Sequence, residues 1–594
     1  MATLIVRTLA EGGAFALGAF GLGCLLARAL ERAAETAPAG AAFRVLVGFG
    51  ALGYVTMALA LAHALRWWTL LVVGIAALAL AQPKVRAGRL PRGDPITFAL
   101  SGLAVAMASG QFLAALAPPE ATDELAYHLP IARAINSPHA AQQLLHARDA
   151  YGNLPNLGEA LYAAALAVDG TALVHVLHLA VVLAGIAFAA SVVRSLWGPR
   201  AGALSAAALL AFPGLTYNAT TAYVDAAAAA FELAAALLVL RWFVRGMGGD
   251  LVGAALLLGF AVGVKYTALF TAALAGAVVL VRVVRRRQLQ LGLAALVTAL
   301  VGGGFWYAKN LVRFGNPFWP FYLGHRGMDD RTYAAFVAGV HAFGPRTLHA
   351  FVQVPWRFAS VASLVPFLAM QLGVLALLVR REPVAARALV AYAALYVTYW
   401  FWLASHQARF LLTGTAAAIV ATAIAVVAGG WVLRAALVVA AVAAIAVAQS
   451  RIHPFAAAAI DDAVARQFGS PKAKVTLGLE SRGSYLRRYF GCEYDAVQFL
   501  DRRPRLSPVL VRQVALVPYF ADGARFGRLP LDTTTAAAAL HGLRRLGFRA
   551  AYVRASEPGN LATTDAASAA VQRRLRPIWE EADCTIYRVA RGPR

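Results

Sequence analysis

The feature that most constrains this chain is a succession of uninterrupted apolar runs, each roughly 15 to 25 residues long. That is the length of helix needed to cross a hydrocarbon core of ~30 Å. The runs are rich in Ala, Leu and Val and lack the alternation of a barrel strand, so in lipid their backbone polar groups must be satisfied within helices. The expected fold class is a polytopic α-helical membrane protein with about 14 transmembrane helices, near 9–30, 45–64, 68–82, 96–117, 171–193, 201–216, 221–244, 251–264, 266–281, 289–308, 359–379, 387–404, 408–429 and 432–449. The first resembles a signal anchor, with Arg7 ahead of its apolar stretch and no sign of a cleaved peptide.

Lys and Arg near span ends stay on the cytoplasmic side. Five groups agree in register: Lys84, Arg86, Arg89 and Arg92; Arg194 and Arg200; Arg241 and Arg245; Arg282, Arg285, Arg286 and Arg287; Arg380 and Arg381. Counting spans from them puts the 118–157 loop, the 309–357 loop and everything after 449 outside. The net charge of +25 therefore needs no nucleic acid, because cations at span ends face anionic lipid headgroups. The chain has 49 Arg and 5 Lys among its 54 cations, with an excess of Ala. Arg abundance alone thus says little, and an isolated Lys says more.

After Ser450 the apolar runs stop. Strand-like runs Val475–Leu479, Val509–Val514, Ala550–Val553 and Thr585–Val589 alternate with helical stretches Thr535–Leu546 and Ala566–Leu575, which suggests a small α/β layer structure. The expected domains are a transmembrane region, 1–450, and a soluble outer domain, 451–594. Cys492 and Cys584 fall in the latter and would allow one disulfide in an oxidising compartment; two free thiols fit the sequence equally well.

Candidate chemistry gathers at the outer ends of spans. In the first outer loop, which holds helix-like pieces at 123–135 and 139–148, Asp123, Glu124, Tyr127 and His128 stand together. Adjacent carboxylates on a helix point about 100° apart, so one acts while the other orients or caps; an ordinary N-cap at Thr122 or Asp123 is the alternative. Asp225 opens a later span after Tyr223-Val224, with Glu232 two turns deeper, and an ionisable residue in a span is a functional hypothesis by default. Lys265 with Tyr266 interrupts an apolar stretch. Lys309 and Arg313 follow Trp306-Tyr307 before Gly315-Asn316-Pro317, and His406, Gln407 and Arg409 share a short turn. Cations on the outer side suit a phosphate ligand, with snorkelling or ion pairing as the alternatives. No metal-ligand spacing, Walker loop or dinucleotide fingerprint is present. A hard divalent cation between Asp123 and Asp225 is an open option.

Asp123-Glu124 followed by Tyr127 and His128, then Tyr223-Val224-Asp225, Trp306-Tyr307 through Asn310 with Gly315-Asn316-Pro317, and Gln407-Ala408-Arg409-Phe410-Leu411 together resemble the GT-C superfamily of membrane glycosyltransferases. The likeness is to bacterial relatives of the protein O-mannosyltransferases and the aminoarabinose transferases acting on lipid A, over roughly residues 95–430. It implies a sugar donor on a polyprenyl phosphate, approached from within the membrane, with inverting transfer on the outer face of the cytoplasmic (inner) membrane to a lipid, glycan or protein acceptor. Asp123 would be the general base, Asp225 a second acid, and Lys265, Lys309, Arg313 and Arg409 would neutralise the leaving phosphate. Two departures stand out: Arg409-Phe410 replaces the Arg-Tyr of many relatives, and three spans precede the first motif where one is common. A lipid-linked sugar flippase, or a non-catalytic envelope assembly protein, is the competing class.

Overall fold

The computed structural model describes residues 2–34, 36–38, 40–83, 94–147, 149–341, 344–352, 384–428, 471–511, 526–527, 534–555, 561 and 565–589. They form two compact units, one of residues 1–117 and 131–476 and one of residues 118–130 and 477–594.

The first unit is helical. Its main elements are α1 (Ala2–Ala34), α2 (Ala41–Leu61), α3 (Trp67–Ala81), α4 (Pro95–Ala115), α5 (Leu129–Ile135, shared with the second unit), α6 (Ala140–His146), α7 (Leu157–Leu166), α8 (Thr171–Trp197), α9 (Pro199–Ala211), α10 (Pro213–Ala219), α11 (Asp225–Arg245), α12 (Gly248–Val264), α13 (Leu269–Arg285), α14 (Leu289–Phe314), α15 (Asp330–His341), α16 (Leu348–Val352), α17 (Val384–Trp402), α18 (Leu412–Ala428) and α19 (Pro471–Thr476). Among the described residues, eight helical segments are long and apolar enough to cross a membrane, and the chain is a multi-pass membrane protein. The spans expected at 359–379 and 432–449, and the cation groups at 84–92 and 380–381, lie outside the described residues.

Small residues let the helices approach closely, as packing in lipid demands where hydrophobicity gives no drive. A Cβ on Gly48 of α2 would collide with the Ala19 carbonyl oxygen of α1, and one on Gly303 of α14 with the Gly259 carbonyl oxygen of α12.

One end of this bundle is held by arginines that fill the carbonyls a helix C-terminus leaves orphaned. Arg28 donates to Leu80 and Ala81, Arg245 to Ser195, and Arg282 to Phe243 at 2.8 Å. Asp94 caps α4 through the Ile96 and Thr97 amides and pairs with Arg200 at 3.1 Å. Buried Arg241 grips Asp250 with two hydrogen bonds of 2.8 and 2.6 Å. Asp225, Lys265, Arg313 and Arg409 lie at the opposite end.

Several expectations are corrected. The span expected at 201–216 is two helices, broken where Pro213 lacks an amide proton and holds Phe212 in extended backbone. The span expected to end at 308 runs to Phe314, where Gly315 takes the left-handed conformation (φ 70°), so Lys309 and Arg313 ride on a helix rather than in a loop. The strand expected at Val475–Leu479 is the end of α19 and a turn. Helix α7 carries no expectation.

In the second unit a five-stranded sheet has the order β2-β1-β3-β5-β4, from β1 (Val509–Leu510), β2 (Phe526–Gly527), β3 (Ala550–Arg554), β4 (Arg576–Glu581) and β5 (Cys584–Arg588). β1 runs parallel to β2 and β3, while β5 is antiparallel to both its neighbours. Alternation sends Val509, Ala550, Tyr552, Cys584 and Ile586 to one face, beside Ala496, Val497 and Leu500 of α21 (Cys492–Asp501). Leu510, Ala551 and Val553 go to the other, against α22 (Ala536–Arg545) and α23 (Asp565–Gln572). Cys492 and Cys584 are disulfide-bonded, which joins α21 to β5. A further helix, Arg482–Phe490, is called α20 and is capped by Ser481. Strand β4 went unread because Pro577 and its paired charges break the alternation.

Candidate functional site

Helix polarity explains why Asp225 and Lys265 meet. Asp225 is the first residue of α11 and Lys265 the C-cap of α12, so each charge sits where the helix dipole favours it. Lys265 Nζ donates to Asp225 Oδ1. Arg409, on a short 3-10 turn ahead of α18, brings Nε to 3.9 Å from Asp225 Oδ2, and Gln407 Oε1 orients that guanidinium by accepting from Nε at 2.8 Å. Asp225 is 4% exposed, and among the described residues no donor hydrogen-bonds its Oδ2. A buried carboxylate oxygen beside two cations, with a lone pair unmet, is suited to accept a hydroxyl proton from a bound molecule.

Aromatic faces complete the setting. Lys265 Nζ lies 4.0 Å from the Phe410 ring centroid, and Arg409 stacks on Tyr223 at 4.6 Å. The ring face at 410 thus serves a cation, a task that needs no hydroxyl. Tyr217 meets Tyr223 edge to face, and Lys472 lies over Tyr217 at 5.1 Å while donating to the Thr220 carbonyl.

A second cation group stands beside the first. Tyr266 follows Lys265, accepts from Asn310 Nδ2 at 3.0 Å and donates to the Trp319 carbonyl. On α14, Lys309 donates to the Gly152 carbonyl, and Arg313 donates to Asn153 Oδ1 at 2.8 Å and the Ala147 carbonyl at 3.2 Å. Among the described residues their hydrogen-bond partners are amide oxygens, and a loop carboxylate, Asp149, acts on Lys309 through its charge. His406 is spent on the scaffold: its ring stacks on Phe401 and bonds that residue's carbonyl at 2.6 Å.

Sequence reading missed two residues here. Glu159, 2% exposed on α7, interacts electrostatically with Lys265 and Asp225; its helix was not read, so neither was the acid. Lys472 had a signal, as one of five lysines. Deeper in the bundle, Glu232 accepts from Thr271 and from Thr413 at 3.0 Å, while Thr271 also meets Tyr392.

Asp123, Glu124, Tyr127 and His128 belong to the second unit, on a π-helical turn, Glu124–His128. Such turns are rare and frequent at functional sites. Glu124 is fully buried and reaches back to accept from the Ala121 amide at 3.2 Å. Asp123 makes no cap bond; its half-buried carboxylate accepts from Tyr127 at 2.9 Å. His128 is buried, with its ring 4.1 Å from that of Tyr127.

Two donor sets for a metal can be tested. Asp225 is engaged by Lys265 and Arg409, which fits an ion-paired carboxylate rather than a cation ligand. Cys492, Asp583 and Cys584 converge, yet both sulfurs are bound to each other, so no thiolate is left to ligate.

Neither a protein-family model nor a curated protein matches the chain. Solved structures do. ArnT from Cupriavidus metallidurans bound to undecaprenyl phosphate superposes with a TM-score of 0.54 at 16% identity, over 83% of this chain and 99% of that one. Its apo form gives 0.52 at 16% identity, over 84% and 99%. Arabinosyltransferase EmbB from Mycobacterium smegmatis is a more distant likeness, with 0.41 at 15% identity over 71% and 46%. The fold of this chain is thus the one seen in the solved ArnT structures.

Proposed function

We propose that this chain transfers a sugar from a polyprenyl-phosphate donor to an acceptor at the outer face of the cytoplasmic membrane, with inversion at the anomeric carbon. The observation that carries the reading is the buried Asp225 carboxylate, held by Lys265 and Arg409 with one oxygen unmet. The fold shared with a protein solved with undecaprenyl phosphate supports a polyprenyl lipid as carrier. Sidedness follows from the arginine-rich end of the bundle, which the positive-inside rule retains in the cytoplasm; Asp225 and its cations then face outward, and residues 451–594 form an outer domain.

In this reading Asp123 is the general base, since its motif is the one the family resemblance assigns to that role. Its carboxylate takes the proton from the acceptor hydroxyl. The acceptor oxygen then attacks the anomeric carbon, and the bond from that carbon to the phosphate oxygen breaks. Its electron pair leaves with the polyprenyl phosphate, where Lys265 and Arg409 meet the growing charge and Lys309 and Arg313 add positive potential. Asp225 Oδ2 accepts from a sugar or acceptor hydroxyl and orients it. Glu124 caps the turn that carries Asp123, and Tyr127 and His128 line it.

The test is transfer or hydrolysis of a panel of radiolabelled polyprenyl-phosphate sugars by the purified protein in lipid. Wild type should release sugar from one donor, and Asp123→Asn should lower the rate by about 10²-fold or more while the protein stays folded. Equal rates in the two proteins would remove Asp123 as the base, and turnover of no donor would remove the enzyme reading.

A further inference from the structure

The second unit contains both the Asp123 turn and the C-terminal sheet, and a buried contact ties that turn to the helix ahead of the sheet. Three residues before Asp123, Glu120 is 8% exposed and accepts from the hydroxyl of Tyr485, which is fully buried. A carboxylate taken from water is costly unless hydrogen-bonded, so the contact fixes where Glu120 sits. Tyr489, one turn further along α20, faces the same carboxylate: burial first, and then the Glu120 charge, push its hydroxyl up to about 12. Tyr485 and Tyr489 are four residues apart, hence on one helix face, with ring centroids 5.0 Å apart.

The contact continues into the sheet. Arg487 of α20 pairs with Asp495 of α21 at 2.8 Å. Gly491, in the left-handed region at φ 56°, lets α20 pass directly into α21. At the head of α21, Cys492 is bonded to Cys584 on β5, a strand paired on both sides. On the other side of Glu120, the Ala121 amide is held by Glu124, and Leu125 and His128 are buried. The turn thus draws support both from its own acid and from α20.

We infer that Tyr485 is a positioning residue, and that the C-terminal part of the chain acts through the Tyr485–Glu120 bond to hold the Asp123 turn in place. The catalytic half of this inference rests on the proposed transferase reading; the structural half does not. It gives residues 477–594 a part in the chemistry of the Asp123 motif, in place of a separate appended module. A catalytic carboxylate is effective only when its supporting shell holds it to within a fraction of an ångström.

Two readouts on the full-length protein in lipid nanodiscs separate these halves. The first is amide hydrogen exchange in wild type, Tyr485→Phe, Glu120→Ala and Glu120→Gln. Exchange across 121–129 should rise tenfold or more in Tyr485→Phe and Glu120→Ala. It should rise much less in Glu120→Gln, which keeps an acceptor for the tyrosine, while β3 and β5 keep wild-type protection. Unchanged exchange at 121–129 would overturn the inference, as would a rise shared equally by β3 and β5, since the tyrosine would then be a core residue only. The second readout is steady-state transfer: kcat should fall about tenfold in Tyr485→Phe with donor KM within twofold, and Glu120→Gln should recover most of it. If wild type turns over no donor, the transferase reading fails and the exchange data still decide the positioning.

Discussion

The two ends of the helical bundle carry the same kind of charge and use it for different ends. At one, Arg28, Arg245 and Arg282 donate to helix carbonyls and Arg241 is locked to Asp250; the first three fill vacancies that helix geometry creates, and the fourth neutralises a buried carboxylate. At the other, Lys265 and Arg409 converge on one buried carboxylate that has an oxygen to spare, and among the described residues the hydrogen bonds of Lys309 and Arg313 go to amide oxygens. A cation count would rank the first end higher. What distinguishes the second is charge held in place beside an unmet hydrogen-bonding atom.

The sharpest way to break this contrast is to remove Lys265. Lys265→Ala leaves Asp225 buried without its main partner, and breaking a buried pair costs about 3–5 kcal/mol. Lys265→Met combined with Asp225→Asn removes both charges, so thermal stability in detergent should return close to wild type. Transfer activity should stay at least about 10²-fold down in both proteins. Recovery of activity along with stability would reduce the pair to a structural bridge and erase the difference between the ends.

Arg241 supplies the matching experiment at the opposite end. Arg241→Ala should destabilise by a comparable ~3–5 kcal/mol, because Asp250 is fully buried and loses two hydrogen bonds. Activity per folded molecule should remain within twofold of wild type. A loss of activity in the folded fraction would mean that the two ends are coupled through α11, which runs from Asp225 to Arg245.

What the sequence made legible follows the same division. Long apolar runs announce helices, because that signal is local. The break at Phe212–Pro213 was legible in principle, but hydropathy ran across it. Lys309 and Arg313 were placed in a loop because Lys309, Asn310 and Arg313 end the apolar run, whereas Gly315 sets the actual stop of the helix. The candidate residues were found as separate motifs. That Asp225, Lys265 and Arg409 touch depends on packing of α11, α12 and the turn before α18, which no spacing encodes. Glu120 and Tyr485 are 365 residues apart, and neither is distinctive alone. The disulfide was one of two open readings until α21 was seen against β5.

The smallest effect separates ion pairing from capping at the arginine-rich end. The Asp94 carboxyl is lowered to about 2, first by the hydroxyl of Thr97, with Arg200 and the Thr97 amide adding to it. A folded value below the ordinary 3.8 means that the ionised group stabilises the protein above that ordinary value, and that this contribution is lost as pH falls through about 2. Asp94→Asn should therefore lower the midpoint of thermal unfolding slightly at pH 6, and the gap to wild type should close between pH 4 and 2. High salt should leave most of the gap intact, since a hydrogen bond from Thr97 is not screened as the exposed Arg200 pair is. A gap abolished by salt would make the Arg200 pair the larger contributor, and would place Asp94 with the ion pairs of the Asp225 end rather than with the caps of its own.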